Sequence, residues 1–316
     1  GNAQEADEYG YISLMNSGRS NYITGGGKTQ YISAPTPISS NLTWERTNTL
    51  NFGTDMAFLN SRLNVTFDYF IRKTLDMLIP GPTLPAVFGA ATPKMNAGDL
   101  ENRGWELAVA WNDSRTLADK PFKYNFSVGL SDSKAKITRF DNPKMLLSNY
   151  YVGQTLGEIW GYRVDGLFAS DAEAASWKIN QDYVDAVRLS APGEWSKLKG
   201  GDVKFVDVNG DGVVNQGDNT LSKPGDQVII GNDRARYTFG VNLGASWNGF
   251  DVSAFFQGIG RQHWYPGANS DKFWGPYSRP YYSFVPKDFA DDVWTPENPN
   301  AYYPLMRGYI ALNNSC

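Results

Sequence analysis

Six stretches of this chain alternate apolar and polar residues with a period of two, and they come in three closely spaced pairs. In the first pair Leu50, Phe52, Thr54, Met56 and Phe58 alternate with Asn51, Gly53, Asp55 and Ala57. After Asn60-Ser61 the chain returns with Leu63, Val65, Phe67, Tyr69 and Ile71 on one face and Asn64, Thr66, Asp68, Phe70 and Arg72 on the other. Successive side chains of a strand point to opposite sides, so such a pattern predicts two-faced β-strands and argues against helix over the same residues. The second pair carries Trp105, Leu107, Val109 and Trp111, then Phe122, Tyr124, Phe126, Val128 and Leu130, around a turn within residues 113–121. The third carries Tyr237, Phe239, Val241, Leu243, Ala245 and Trp247, then Phe250, Val252, Ala254 and Phe256. Asn248-Gly249 joins its halves and suits the positive φ angles of a type I′ hairpin turn.

The connections between pairs narrow the architecture further. Residues 74–102 read as a connection interrupted by Pro80, Pro82, Pro85 and Pro93, which cannot continue a sheet ladder. Residues 132–236 form a stretch of about 100 residues with little alternation, against the usual ~4–6 for a connection. Beyond Gln257 the chain is again aromatic and broken by prolines. Every short turn therefore falls at one end of the strands and every long connection at the other. An all-β, antiparallel, up-and-down transmembrane β-barrel with short periplasmic turns and long extracellular loops has this parity. A water-soluble sandwich is the competing architecture, but its outer face should be polar. Here aromatics stand near strand ends, at Tyr69, Trp105, Trp111, Phe122 and Trp247, as interface girdles do, which favours the barrel.

Composition excludes several function classes. A net charge of −4, with 29 basic and 33 acidic residues evenly spread, gives no electrostatic footprint for nucleic acid. One histidine, His263, and one cysteine, Cys316, leave no basis for a His-based metal centre, a Ser-His triad or an intrachain disulfide. No run of ~18 apolar residues is present, which excludes an ordinary transmembrane helix but not a barrel. Residues 1–40 read as polar loop with at most one strand, and the N-terminus lacks signal-peptide character. Within the long connection, Asp171 to Ser176 can form a short helix with Asp171 as its N-cap.

Two sets of residues stand out as candidate sites. Asp207, Asn209, Asp211, Val213, Asn215 and Asp218 occupy positions one, three, five, seven, nine and twelve of a calcium loop, with Gly212 at the sharp bend. Position twelve is Asp rather than the bidentate Glu of an EF-hand, and no flanking helices are predicted. The alternative is an Asx-rich turn braced by its own hydrogen bonds. Calcium is the one cofactor these residues suggest. The second set is aromatic: Tyr150, Tyr151, Trp160, Tyr162, Trp264, Tyr265, Trp274 and Tyr277 are loop residues that either stack on sugar rings or pack on the loops and a partner. Asp55, Asp68, Asn64, Asn242 and Asp251 would face water in a lumen. Asp291-Asp292 reads as a solvated turn, and a glycosidase pair is its weaker alternative.

Three phrases carry a family resemblance: LTWERTNTLNFGTDMAFLNSRLNVTFDYFIRKTLDMLI at 42–79, NAGDLENRGWEL at 96–107, and GDVKFVDVNGDGVVNQGD with IIGNDRARYTFGVNLGASWNGFDVSAFFQG at 201–258. Together with TPENPNAYYPLM at 295–306, they make the chain similar to the SusC-like TonB-dependent outer-membrane transporters. The resemblance implies a barrel of about 22 strands, an N-terminal plug that engages the TonB complex, and a SusD-like surface lipoprotein acting as a lid. It implies oligosaccharide or peptide cargo, residence in the bacterial outer membrane, and no catalytic residues. Neither the plug nor the closing strands are visible in this sequence, so residues 1–316 read as an internal part of one barrel domain, with 132–236 a long extracellular loop region that carries the calcium-like motif. A secreted, soluble β-rich carbohydrate-binding module with a dockerin-like calcium loop is the alternative.

Overall fold

The computed structural model describes residues 12, 15, 17–33, 35, 37–39, 42–81, 92–185, 193–266 and 287–306. The chain divides into two compact units. The first comprises residues 1–143, 149–156 and 235–261, and the second residues 144–148, 157–234 and 262–316.

The first unit is built on a six-stranded antiparallel sheet. Its strands are β3 (Arg46–Phe58), β4 (Leu63–Pro80), β5 (Lys94–Leu117), β6 (Lys120–Arg139), β11 (Arg236–Trp247) and β12 (Phe250–Arg261). Their spatial order is β12-β11-β6-β5-β4-β3, so chain order is kept throughout and the sheet is up-and-down. A separate hairpin, β1 (Ser17–Thr24) with β2 (Gly27–Ile32), turns at Gly25-Gly26 and makes two strands where the sequence suggested at most one.

Register places the alternating residues in rows that run across the sheet. Met56, Val65, Val109, Val128, Val241 and Phe256 form one row, and Phe58, Leu63, Trp111, Phe126, Leu243 and Ala254 the next. Between these rows, on the opposite face, lie Ala57, Asn64, Ala110, Ser127, Asn242 and Phe255. The polar face is knitted by side-chain hydrogen bonds, such as Thr66 Oγ1 to Asp55 Oδ1 at 2.7 Å and Asn242 Nδ2 to Ser127 Oγ at 3.2 Å. The apolar face is open: Leu50, Phe52, Phe58, Phe250, Val252 and Phe256 are 53, 61, 47, 73, 68 and 57% exposed. In a sandwich this face would be the buried one. Soluble proteins rarely expose a continuous apolar patch of this kind, whereas the outer wall of a membrane barrel consists of one.

Two expectations about the strands need correction. The connection proposed for residues 74–102 is much shorter, because β4 runs to Pro80 and β5 begins at Lys94, pairing Pro80 with Lys94. Pro80 is the last residue of its strand, a place where a missing N–H interrupts no ladder. The second hairpin turns tightly at Ala118-Asp119, with φ of 47° and 56°, rather than through a loop over 113–121. Bonds from the neighbouring hairpin brace that turn. Trp247 Nε1 donates to Leu117 O at 3.1 Å, and Lys120 Nζ donates to Asn248 Oδ1. Asn248-Gly249 itself has the expected positive φ values, 49° and 84°.

At the end of the sheet opposite the short turns, β4 bulges at Asp76, whose φ is 59°. Asp76 accepts from Arg46 Nη2 at 2.6 Å and from Arg139 Nη2 at 2.8 Å, while its own N–H donates to Asp99 Oδ1 at 2.8 Å. Asp99 also accepts from Arg139 Nε at 2.8 Å, and Asn96 Nδ2 donates to the Asp76 carbonyl at 2.6 Å. Residues from the 42–79 and 96–107 phrases thus meet at one irregular backbone position. A left-handed non-glycine residue persists only where its surroundings over-determine it.

Candidate functional site

The second unit holds the calcium-like loop. Two short ribbons frame it: β7 (Glu158–Tyr162) pairs with β10 (Gln227–Asn232), and β8 (Val164–Leu167) pairs with β9 (Val203–Phe205). Between β8 and β9 lies helix α1 (Asp171–Ser176). Its N-cap is Ser170 rather than Asp171: Ser170 Oγ accepts from Glu173 N at 3.2 Å, while Asp171 Oδ1 accepts from Gly200 N at 2.9 Å. Glu173 reaches back to accept from Ala169 N at 2.7 Å, and its other oxygen meets Lys204 Nζ at 3.0 Å. The Ala169 N–H first, and Lys204 second, hold the Glu173 carboxyl below the ordinary glutamate range.

The core of this unit is Val184, Val203, Phe205 and Val214, with Tyr162, Leu167 and Ile179 packed against it. Val214 lies inside the loop and is fully buried, so it anchors the motif to the core. Asn180 donates to Gly212 O at 2.8 Å and accepts from Val214 N at 2.7 Å, which fixes the loop's far side.

Within the loop the Asx side chains wind around the backbone. Asp207 accepts from Gly210 N and Gly212 N, both at 2.7 Å. Asn209 Oδ1 accepts from Asp211 N at 2.9 Å, and Asp211 Oδ1 from Val213 N at 2.8 Å. Asn215 Oδ1 accepts from Gly217 N at 2.6 Å. Gly212 has φ of 85°, as a bend at position six requires. Each carboxylate keeps further lone pairs, since two oxygens offer about four acceptor sites. This much suits a cation.

Asp218 departs from the pattern. It is paired with Lys223 at 3.2 Å, and both side chains are well exposed. Among the described residues no three carboxylate, imidazole or thiol groups converge as a ligand set.

The residue that holds the loop closed is one the motif does not contain. Asp226 is fully buried; its Oδ1 accepts from Val208 N at 2.7 Å and Asn209 N at 3.3 Å, and its Oδ2 from Asn215 N at 2.8 Å. Both sides of the loop are thereby drawn to one carboxylate. Gly225, with φ of 62°, lets the backbone pass against residues 215–217; a Cβ there would fall on the Asn215 carbonyl oxygen and the Gly217 nitrogen. The sequence signal for this clamp was slight: Pro224-Gly225-Asp226 reads as an ordinary turn before a strand.

The aromatic candidates are dispersed. In the first unit Tyr150 is 51% exposed and edge-on to Phe140 at 5.6 Å. Tyr151, expected as an exposed loop aromatic, is instead buried at 3%, with its N–H on Gln154 Oε1 at 3.2 Å. In the second unit Trp160 and Tyr162 share one face of β7 and are half-buried. Tyr162 lies edge-on to Phe205 at 6.4 Å, and burial raises its phenol above the usual range. Trp264 and Tyr265 are 73% and 44% exposed. Trp274 and Tyr277 lie outside the described residues. His263 is bonded to the backbone, its N–H donating to Asn232 O at 3.0 Å. Asp291 and Asp292 belong to a short 3-10 turn, Phe289–Asp292. The Trp294 indole beside it packs on Gly200 and Gly201, where a Cβ on either glycine would meet the ring.

Comparison with known proteins places this geometry. A family model described as TonB dependent receptor-like, beta-barrel matches residues 9–284. TonB-dependent receptor P26 of Formosa agariphila is 29% identical over 281 residues, covering 86% of this chain and 25% of that protein. TonB-dependent receptor SusC of Bacteroides thetaiotaomicron is 28% identical over 254 residues, covering 77% of this chain and 24% of that one. The chain thus spans about a quarter of the length of the curated relatives it matches. Among solved structures, that of the RagAB peptide transporter superposes with a TM-score of 0.63 at 19% identity, covering 98% of this chain and 30% of that one. The RagAB peptide importer in its closed-closed state gives 0.62 at 21% identity, with coverage of 95% and 29%.

Proposed function

Because this chain belongs to the TonB-dependent receptor-like β-barrel family, we propose that it forms wall and outer loops of a SusC-type outer-membrane transporter. The transporter takes up oligosaccharides or peptides and performs no chemistry on them. The observation that carries this reading is the open apolar face of the six-stranded sheet, with its rows of Phe, Leu, Val and Trp across the middle of the strands and a more polar opposite face. In water that face is a liability; in hydrocarbon it is the solvent-matched surface. The edges β3 and β12 are open in this sheet and must meet further strands before a barrel can close.

Function then divides by face and by end. The polar face lines the passage, and the long connections lie outside the cell, among them residues 140–235, since β6 runs to Arg139 and takes in the first residues of the stretch 132–236. There they meet cargo and a SusD-like lipoprotein, whose expected contact points are the exposed aromatics Tyr150, Trp264 and Tyr265. Energy comes from the TonB complex through a plug supplied elsewhere in the full protein. The loop from Asp207 to Asp218 takes calcium, using Asp207, Asn209, Asp211, the Val213 carbonyl and Asn215, with Asp218 released from Lys223 to complete the set. The ion's role there is to stiffen a surface loop.

The test uses the full receptor. It should fractionate with the outer membrane, require detergent for extraction, and support cargo uptake that stops when TonB is removed. A folded, monomeric protein in the aqueous phase without detergent would refute the membrane reading, and release of reducing sugar from a glycan would refute the absence of catalysis. For the metal, calorimetric titration with calcium should show binding that Asp207→Ala abolishes; identical traces for both proteins refute the site.

A further inference from the structure

The outward, apolar face of the sheet changes character above its aromatic row. Phe52, Tyr69, Trp105 and Asp132 form one row across β3 to β6. Two residues further toward the long-loop end comes Leu50, Ile71, Arg103 and Lys134, and beyond it Asn48, Lys73, Glu101 and Lys136. Four cations and one anion thus occupy two adjacent rows of the same face. Neighbouring strands lie about 4.8 Å apart and successive same-face residues about 6.8 Å apart, so the whole group fits an area the size of one lipid headgroup.

The charges are not balanced within the group. Glu101 is drawn to both Arg103, at 2.7 Å, and Lys73, at 3.4 Å, and it is the least exposed of the three. Lys134 and Lys136 are exposed and form no ion pair among the described residues. Further outward, Arg46 and Arg139 are matched by Asp76 and Asp99, so the surplus stays confined to the two rows. Lysine and arginine at a membrane boundary commonly extend their charged ends toward the headgroups while their stems cover apolar surface. Here Glu101 holds two of those ends at a shared point instead.

The geometry points to a binding patch for the phosphate group of an outer-leaflet lipid, formed by Lys73, Arg103, Lys134 and Lys136 and oriented by Glu101. Its acyl chains would lie along Phe52, Tyr69 and Trp105 and the apolar rows below. The occupant is a lipid rather than a free anion because the cations stand directly above an exposed apolar surface, and only an amphiphile satisfies both parts. The patch rests on the barrel reading above, since it needs this face to meet a bilayer.

The experiment uses the full receptor in nanodiscs of phosphatidylcholine with a minor fraction of phosphatidic acid, and native mass spectrometry reads the lipids retained on release. Wild type should enrich phosphatidic acid about fivefold over its bulk ratio. K73Q/R103Q/K134Q/K136Q should return it to bulk, whereas K73R/K134R/K136R should keep the enrichment. Arg72→Gln, on the opposite face in register with Thr49 and Asn102, should leave it unchanged. Absence of enrichment in wild type, or unchanged enrichment in the quadruple glutamine variant, overturns the patch; so does displacement of the lipid by inorganic phosphate, which would mark a free-anion site. Failure of the barrel reading is a separate result, because the receptor would then not enter phosphatidylcholine nanodiscs at all.

Discussion

Placing an arginine at Val241 should destabilise the folded protein far more than placing one at the next residue, Asn242. The two differ only in the side of β11 they occupy. Val241 lies in register with Val128 and Phe256 on the apolar face, and Asn242 with Ser127 and Phe255 on the polar one. Along β11, Val241 is four residues from Tyr237 and six from Trp247, roughly 14 and 20 Å of strand. At a tilt of about 40° these become roughly 10 and 16 Å of height, which puts Val241 near the middle of an apolar band about 26 Å tall. A charge at that depth costs about 2–4 kcal/mol, or roughly a 30- to 900-fold change in the folding equilibrium. Asn242→Arg removes one hydrogen bond, to Ser127 Oγ, and faces water, so its cost should stay within about 1 kcal/mol. Urea titration of the full receptor refolded into lipid vesicles, followed by tryptophan fluorescence, measures both. Equal costs, or a larger cost at Asn242, would show that the apolar face does not meet hydrocarbon.

Other outcomes follow from the second unit. Asp226→Ala leaves the N–H groups of Val208, Asn209 and Asn215 without their acceptor; the loss should be about 3–4 kcal/mol and appear as faster amide exchange across residues 208–215. Gly225→Ala combines a left-handed φ of 62° with collision against backbone at residues 215–217, and should cost at least about 2 kcal/mol by denaturant titration. Glu173 has its folded pKa lowered from 4.5, so its contribution is present above the unfolded value and lost as pH falls through the folded one. The stability advantage of wild type over Glu173→Gln should therefore disappear below that range; an advantage that persists in acid contradicts the hydrogen-bonded carboxylate.

Much of the barrel wall was legible because its signal is local. The alternation over residues 50–71, 105–130 and 237–256 states strand, face and hairpin partner together, and Asn248-Gly249 announces its own turn chemistry. The turn at Ala118-Asp119 was not legible, since alanine has no preference for positive φ and bonds from the Trp247 and Asn248 hairpin support it. Strand β4 continued past Thr74 for a similar reason. The bulge at Asp76 is stabilised by Arg46, Asp99 and Arg139, residues up to 63 positions away.

The loop site shows the same division at closer range. Asp207, Asn209, Asp211 and Gly212 could be picked out by spacing alone, because an Asx side chain bonds the backbone a few residues on and a bend needs its glycine. Sequence by itself thus determined the period-two strands, their two faces and the winding of this loop, all properties set within a few residues. Only the tertiary structure decided that β4 bulges at Asp76 and runs on to Pro80, that Asp226 rather than Asp218 closes the loop, and that Tyr151 is buried while Trp264 is not. These outcomes depend on which distant groups meet once apolar surface is covered and buried donors have found acceptors, and no local pattern encodes that choice.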